Sequence, residues 1–436
     1  CPPPVSRRSM SVVVGIALLA TLYTALGGLK SVAVTDALQS VVMIIASIVL
    51  FVIVWNEAEG LSGIAKRLDR DQPGLSATLL HVGHDKVVTE DVSQLEPQAI
   101  QRRLLIGGEY DEASRQIVRT TPAWLACLSF FIIGLSYSIV NHTQSMRMFG
   151  ARSEWDLKMS VVLAGVILIG TTFTNLMTGV MGRALFATLP PDVATYGTND
   201  VIYPLLVREL TGPGLMGLVV AGILAASFST YDSIGSTLSS LLVRDVYARL
   251  FVRDRDDRHY LQVGRWLTPV IIFGSFAYVP FLLESGMLMF YIELVGAFVA
   301  PLLTIYLMGT FTRVHRRTGA IGLLAGVAYG VLRLLAPTIA EIFGIAVLPP
   351  VMADGLAGWV FCVLVTGATM LVGSLAMGWE PAGKPLHEES SGWLRSSQIE
   401  ARDFGLGQQP AKGPWPAMLG IGVILAGVLL SFVVFW

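Results

Sequence analysis

Residues 217–247 read GLVVAGILAASFSTYDSIGSTLSSLLVRDVY. They belong to a run from Leu210 to Val243 that carries one charged side chain in its middle, Asp232. A helix needs about 20 largely apolar residues to cross the hydrocarbon core of a bilayer, and this run is long enough. An Asp at the centre of such a helix costs about 2.5–3.5 kcal/mol on insertion scales, so something must compensate it. On a helix Ser229, Asp232 and Ser233 are neighbours on one face, with Ala226 and Thr230 close by. Hydroxyl and carboxylate oxygens grouped in this way suit a hard cation. Small residues every three or four positions also let helices pack closely, with Ser hydroxyls bonding back to their own helix. The buried acid favours the cation site over simple packing.

The rest of the chain has the same character. Of its 436 residues 53% are hydrophobic and 14% are charged, against about 25% charged in soluble domains. Ten long apolar stretches are predicted as membrane helices, near Ser11–Leu29, Ala37–Trp55, Thr121–Met146, Met159–Gly182, Leu210–Val243, Trp266–Leu283, Ser285–Thr312, Thr318–Ala340, Gly355–Trp379 and Gly413–Trp436. Besides Asp232, charges fall inside two of them, at Glu293 and Arg333. A formal net charge of −1 leaves no basic surplus for nucleic acid. Three cysteines cannot build a disulfide framework. No HExxH, GxSxG or Walker loop is present, so no enzyme constellation is expected.

Short cytoplasmic loops carry an excess of Lys and Arg. The cluster Arg244, Arg249, Arg253, Arg255, Arg258 and Arg265 therefore sets its loop inside. With it go Lys30, the Arg147–Lys158 loop, Arg313–Arg317 and the linker 380–412, and both chain ends face outside. The polar stretch 56–120 reads as an extracellular excursion; its His81 and His84 alone make no metal site. The chain opens CPPPVSRRSM without an initiator Met or a signal-peptide pattern, which predicts a cut at the N-terminus. Gly27 and Gly28 are expected to break the first segment, so that Asp36 and Gln39 enter the bilayer in the first turns of the second. There the helix dipole favours a carboxylate, and Asp36 alone reads as an interfacial cap.

Four stretches together resemble the sodium:solute symporter family: GGLKSVAVTDALQ (27–39), GLSYSIVNHTQSMRMFGARSEWDLK (134–158), AASFSTYDSIGSTLSSLLVRDVY (225–247) and PLLTIYLMGTFTRVHRRTGAIGLLAG (301–326). The resemblance runs in the family's order across most of residues 20–335. It implies an all-α, multi-pass membrane protein with part of a five-plus-five inverted-repeat (LeuT-like) fold. Binding sites then lie at the midplane, where broken helices expose carbonyls and dipole ends. Segments one to seven correspond to core helices four to ten. Residues 1–312 are thus a partial transporter core and 313–436 peripheral helices, and core helices one to three are not encoded.

The family's main sodium site maps onto Ala226, Ser229 and Thr230. A second sodium site found in some members maps onto Asp36 and Ser233. Asp232 departs from the pattern, standing where a hydroxyl is common, and a cation between Asp36 and Asp232 would relieve their repulsion. Tyr137 stands at an aromatic gate, with Asn141, His142 and Gln144 following on the same helix, and Glu293 lies in the region that lines the solute cavity. Leu168 occupies roughly the place where sugar carriers present a polar or basic side chain, which weighs against a sugar. The resemblance implies sodium-coupled symport, across a plasma or inner membrane, of a small sugar, amino acid, carboxylate or vitamin. Sodium is the coupling ion, and no cofactor, nucleic acid or enzymatic step is involved. Two alternatives stay open: proton coupling through Asp36, Asp232 and His142, and a fragment inactive by itself.

Overall fold

The computed structural model describes residues 7–71, 75–76, 108–111, 116–119, 123–148, 151, 153–186, 201–275, 287–380 and 414–434. His81 and His84, and the linker beyond Glu380 up to residue 413, lie outside them. The described chain is helical, as expected of a multi-pass membrane protein. Its one departure from an all-α chain is a small antiparallel hairpin, β1 (Gly108–Asp111) with β2 (Gln116–Arg119), inside the predicted excursion.

Among the described residues six helical stretches are long and apolar enough to cross a membrane: Val34–Glu57, Trp155–Leu185, Pro213–Phe251, Tyr291–Phe311, Thr318–Ala340 and Ala357–Met377. Two shorter apolar stretches, Trp124–Ile139 and Trp415–Leu429, accompany them. These eight coincide with eight of the ten expected stretches; of the other two, Trp266–Leu283 is described only as far as residue 275, and Ser11–Leu29 lies in the first part of α1, a single helix over Arg7–Glu57, 51 residues, in which the first two expected segments are continuous. Gly27 and Gly28 do not break it. Glycine in a helix interior costs about 1 kcal/mol relative to Ala but keeps its N–H, whereas a break needs a lost hydrogen bond of the kind Pro causes. No Pro occurs between Arg7 and Glu57.

The chain gathers into two compact units, Cys1–Leu79 with Ala164–Gly286, and Leu80–Leu163 with Met287–Trp436. In the first, α1 is followed by the short amphipathic α2 (Gly60–Asp71), which buries Ile64 and Leu68. The later part of α5 (Glu154–Leu185) packs Gly182 against Ile202 and Leu206 of α6 (Ile202–Leu210). α7 (Pro213–Leu241) starts with Pro at its first position, where no N–H is needed. It continues as a π-helical segment, Leu242–Phe251, and leads to α8 (Asp257–Gly274). α7 lies against α1 at Gly222, where an added Cβ would stand 2.8 Å from that of Ala46.

The second unit contains α3 (Ala123–Ile139), α4 (His142–Met148), the start of α5, α9 (Met287–Phe311), α10 (Thr318–Phe343), the single turn α11 (Pro350–Ala353), α12 (Ala357–Met377) and α13 (Trp415–Val434). Its core joins Leu125 and Ile132 of α3, Ile292, Ala300 and Leu303 of α9, Tyr329 of α10, and Trp359 and Cys362 of α12. Glycines of α10 let it lie close to α9 and α12. A Cβ on Gly330 would stand 2.5 Å from the Ala297 Cα, and one on Gly322 would stand 2.6 Å from the Met370 Cγ. One on Gly326 would overlap Thr366 and Pro301. The Asp354 carboxylate accepts the first free amides of α12, Leu356 N–H at 2.9 Å and Ala357 N–H at 2.8 Å.

Candidate functional site

The first unit places Asp36 well inside α1 instead of at a helix start. The dipole at an incoming helix end is therefore not what compensates its charge, and the reading of Asp36 as an interfacial cap is corrected. The compensation comes from α7: the Ser229 hydroxyl donates to Asp36 Oδ1 at 2.5 Å, across 193 residues of sequence. Hydrogen bonds to an ionised carboxylate are short and roughly twice as strong as neutral ones. Both residues are half-buried. A hydroxyl retains lone pairs after donating, so Ser229 can face a cation while it holds Asp36.

The other expected ligands stand on α7 around Ser229. Thr230 Oγ1 donates to the Ala226 carbonyl at 2.9 Å, and Ser233 Oγ to the Ser229 carbonyl at 2.7 Å. Both are back-bonds to the preceding turn, which tend to bend a helix and tilt carbonyls from its axis. Asp232 is fully buried, at 0% exposure, and Ser233 is nearly so. The structure brings Asp36 to Ser229 and keeps Ala226, Thr230, Asp232 and Ser233 within two turns of the same helix. Among the described residues no group of three or more His, Cys, Asp or Glu side chains forms a metal centre. The oxygens gathered here are hydroxyls, carbonyls and carboxylates, the donor chemistry that a hard cation takes.

The residues expected to meet the solute lie in the second unit. Tyr137 is 51% exposed near the end of α3. The expectation that Asn141, His142 and Gln144 share its helix is corrected: α3 stops at Ile139 and α4 starts at His142. The cause is Asn141, whose Oδ1 accepts both the Thr143 N–H at 3.0 Å and the Thr143 hydroxyl at 2.6 Å. Such local bonds compete with the helix ladder and start a new helix. Asn141 thus spends its side-chain oxygen on a cap, and His142 and Gln144 stand half-buried in the first turn behind it. Glu293 is half-buried in α9, and Leu168 is 62% exposed on α5.

Sequence reading counts Arg333 only as a charge and leaves Trp359 unnoticed. In the structure Arg333 is 3% exposed and donates from Nη2 to the Glu293 carbonyl at 2.9 Å. The signal was available, since an arginine inside a membrane span is by default a candidate functional residue. Its partner was not, because that partner is a backbone oxygen.

The family model for the sodium:solute symporter family matches residues 8–330. The sodium/mannose cotransporter of Bos taurus is 28% identical over 95% of this chain and 69% of its own length. Human sodium/glucose cotransporter 4 is 29% identical over 82% of this chain and 52% of its own. Against the second relative, this chain spans about half the length of the protein it matches. A solved structure described as a substrate-bound, outward-open, Na+-coupled sialic acid symporter with a novel Na+ site aligns with a TM-score of 0.57. It shares 18% identity over 84% of this chain and 67% of its own, a likeness of fold. By the match across residues 8–330, which carries both Asp36 and the Ser229 helix, this chain belongs to the sodium:solute symporter family.

Proposed function

We propose that this chain provides most of a sodium-coupled symporter for a small polyhydroxylated solute, a sugar or polyol, working across the plasma membrane by alternating access. The observation that carries the sodium part is the Ser229–Asp36 hydrogen bond, with a fully buried Asp232 one turn along. A carboxylate and hydroxyls drawn together inside apolar helices are costly without a cation and favourable with one. Ala226, Ser229 and Thr230 take one sodium ion, and Asp36, Asp232 and Ser233 a second. The driving step is binding alone: oxygens replace the ion's water shell and one helix bundle rocks against another, with no bond made or broken. Residues 1–312 serve as part of the transporter core and 313–436 as peripheral helices.

The solute class is supported by the named relatives, cotransporters of mannose and glucose. Leu168 is the contrary sign, since it offers no polar group. Tyr137, Asn141, His142, Gln144 and Glu293 are the side chains assigned to the solute and its gate.

The test is uptake of radiolabelled D-mannose, D-glucose and an amino-acid control into proteoliposomes with and without a sodium gradient. Sodium-stimulated sugar uptake that is lost in Ser229→Ala and Thr230→Ala is the expected result. Uptake driven equally well by a proton gradient without sodium, and unchanged in both variants, would transfer the assignment to proton coupling through Asp36, Asp232 and His142.

A further inference from the structure

Arg333 is a charged side chain at membrane depth that the sodium reading does not use. It lies in the Thr318–Ala340 span, and its guanidinium reaches the backbone carbonyl of Glu293 on α9. One residue earlier on α9, the Ile292 carbonyl accepts the indole N–H of Trp359, a residue of α12 that is 2% exposed, at 3.1 Å. Donors from two helices thus grip consecutive carbonyls of a third. Each carbonyl has a second lone pair, so the grip adds to the helix ladder and does not replace it.

Room for both donors comes from missing side chains. A Cβ on Gly296 would stand 2.7 Å from Trp359 Nε1, and one on Gly358 would stand 2.6 Å from both Cδ and Nε of Arg333. The guanidinium Nε has no acceptor among the described residues. An apolar side chain would fill this space without that penalty, so packing alone does not account for an arginine. The gripped carbonyls are those of Glu293 and its neighbour, and Glu293 is the sole charged residue of α9. Its carboxylate forms no ion pair with Arg333; the guanidinium goes to the backbone.

We propose that Arg333 and Trp359 are positioning residues for solute binding: they fix the Ile292–Glu293 backbone to α10 and α12, so that the Glu293 carboxylate is held in place for the solute. The proposal rests on the assignment of Glu293 to the solute cavity, and its consequence is that helices outside the transporter core set solute affinity.

The experiment compares Arg333→Gln, Arg333→Lys, Trp359→Phe, Gly358→Ala and Glu293→Gln in the intact carrier, in proteoliposomes. Half-saturating D-mannose and half-saturating sodium are read together with hydrogen–deuterium exchange across residues 291–297. Gly358→Ala is included because it displaces the guanidinium while leaving Arg333 itself unchanged. Arg333→Gln, Gly358→Ala and Trp359→Phe are expected to raise half-saturating mannose about tenfold, the effect of one lost buried or charged hydrogen bond. Half-saturating sodium stays within about twofold, amide exchange over 291–297 rises, and Arg333→Lys recovers part of the affinity. Adding Glu293→Gln to Arg333→Gln gives little further loss. Unchanged exchange in Arg333→Gln and Gly358→Ala overturns the clamp, as does fully additive loss in the double variant. If the wild-type protein takes up no mannose, the sugar reading fails separately, and the exchange measurement still decides the clamp.

Discussion

The α1–α7 pair and the α9–α10–α12 trio both hold charge among apolar helices, and they neutralise it in opposite ways. In the pair, Asp36 is met by the hydroxyl of Ser229, a small group that can turn toward an ion. In the trio, Arg333 is met by a helix carbonyl, a dipole fixed by the backbone. Packing differs in parallel. α7 lies along α1 with a single glycine, Gly222, set against the Ala46 methyl group and the Met43 backbone, while α10 meets its neighbours through Gly322, Gly326 and Gly330 in successive turns. A side-chain partner suits a charge whose environment must change during a cycle, and a backbone partner suits one that must stay where it is.

Removing the side-chain partner separates the two regions most sharply. Asp36→Asn and Ser229→Ala should each raise half-saturating sodium by roughly ten- to a hundredfold, the range for a lost hydrogen bond to a charged group. Arg333→Gln should leave that constant nearly untouched. Equal sodium effects from both regions in a transport assay would dissolve the distinction.

Packing comes next in size. Gly326→Ala forces a methyl group into Thr366 and Pro301 and should cost about 1–3 kcal/mol as overpacking, read as a lower melting temperature in detergent. Gly217→Ala, with nothing within 4 Å of the added Cβ, is the control, and should change stability by less than about 0.5 kcal/mol. Gly222→Ala should fall between them at about 1 kcal/mol, because a single methyl group at 2.8 Å is in its way. A Gly222→Ala variant as damaged as Gly326→Ala would mean that the pair is packed as tightly as the trio.

The smallest expected effect concerns the end of the trio. The Glu380 carboxylate accepts the Arg316 backbone N–H at 2.9 Å and its Nε at 3.3 Å, while the Glu380 N–H donates to the Arg313 carbonyl and the Glu380 carbonyl accepts from the Arg313 Nε, both at 3.0 Å. The Arg316 N–H bond, reinforced by the Arg316 charge, holds the Glu380 carboxyl below the usual carboxylate range. A carboxyl depressed in the folded state contributes fully above its unfolded pKa and loses that contribution as pH falls through the folded one. Thermal stability should therefore decline slightly on acidification below the usual range, and Glu380→Gln should remove that part of the decline. A melting profile against pH whose acid limb is the same in both proteins would show that the contact carries no weight.

Several residues of the candidate site were legible in the sequence. Asp232 and Ser229 stand out because an acid and hydroxyls inside an apolar run have few inexpensive explanations, and helical spacing puts them on one face. Asp36 was legible as a residue but not in its setting. The Gly27-Gly28 pair suggested a turn, and the local cost of two glycines did not outweigh the unbroken ladder of α1. Asn141 shows the reverse: a cap residue signalled a helix end, and the apolar run Thr121–Met146 around it hid the signal.

A multi-pass helical membrane protein of the sodium:solute symporter family is legible from the chain alone. Apolar length, intramembrane charge and motif order are properties of residues near one another in the chain. Which groups answer those charges depends on packing between segments far apart in the chain. Ser229 meets Asp36 across 193 residues, and Arg333 meets a carbonyl 40 residues away. A backbone oxygen is the same at every position, so no sequence pattern can mark the one that packing brings within reach.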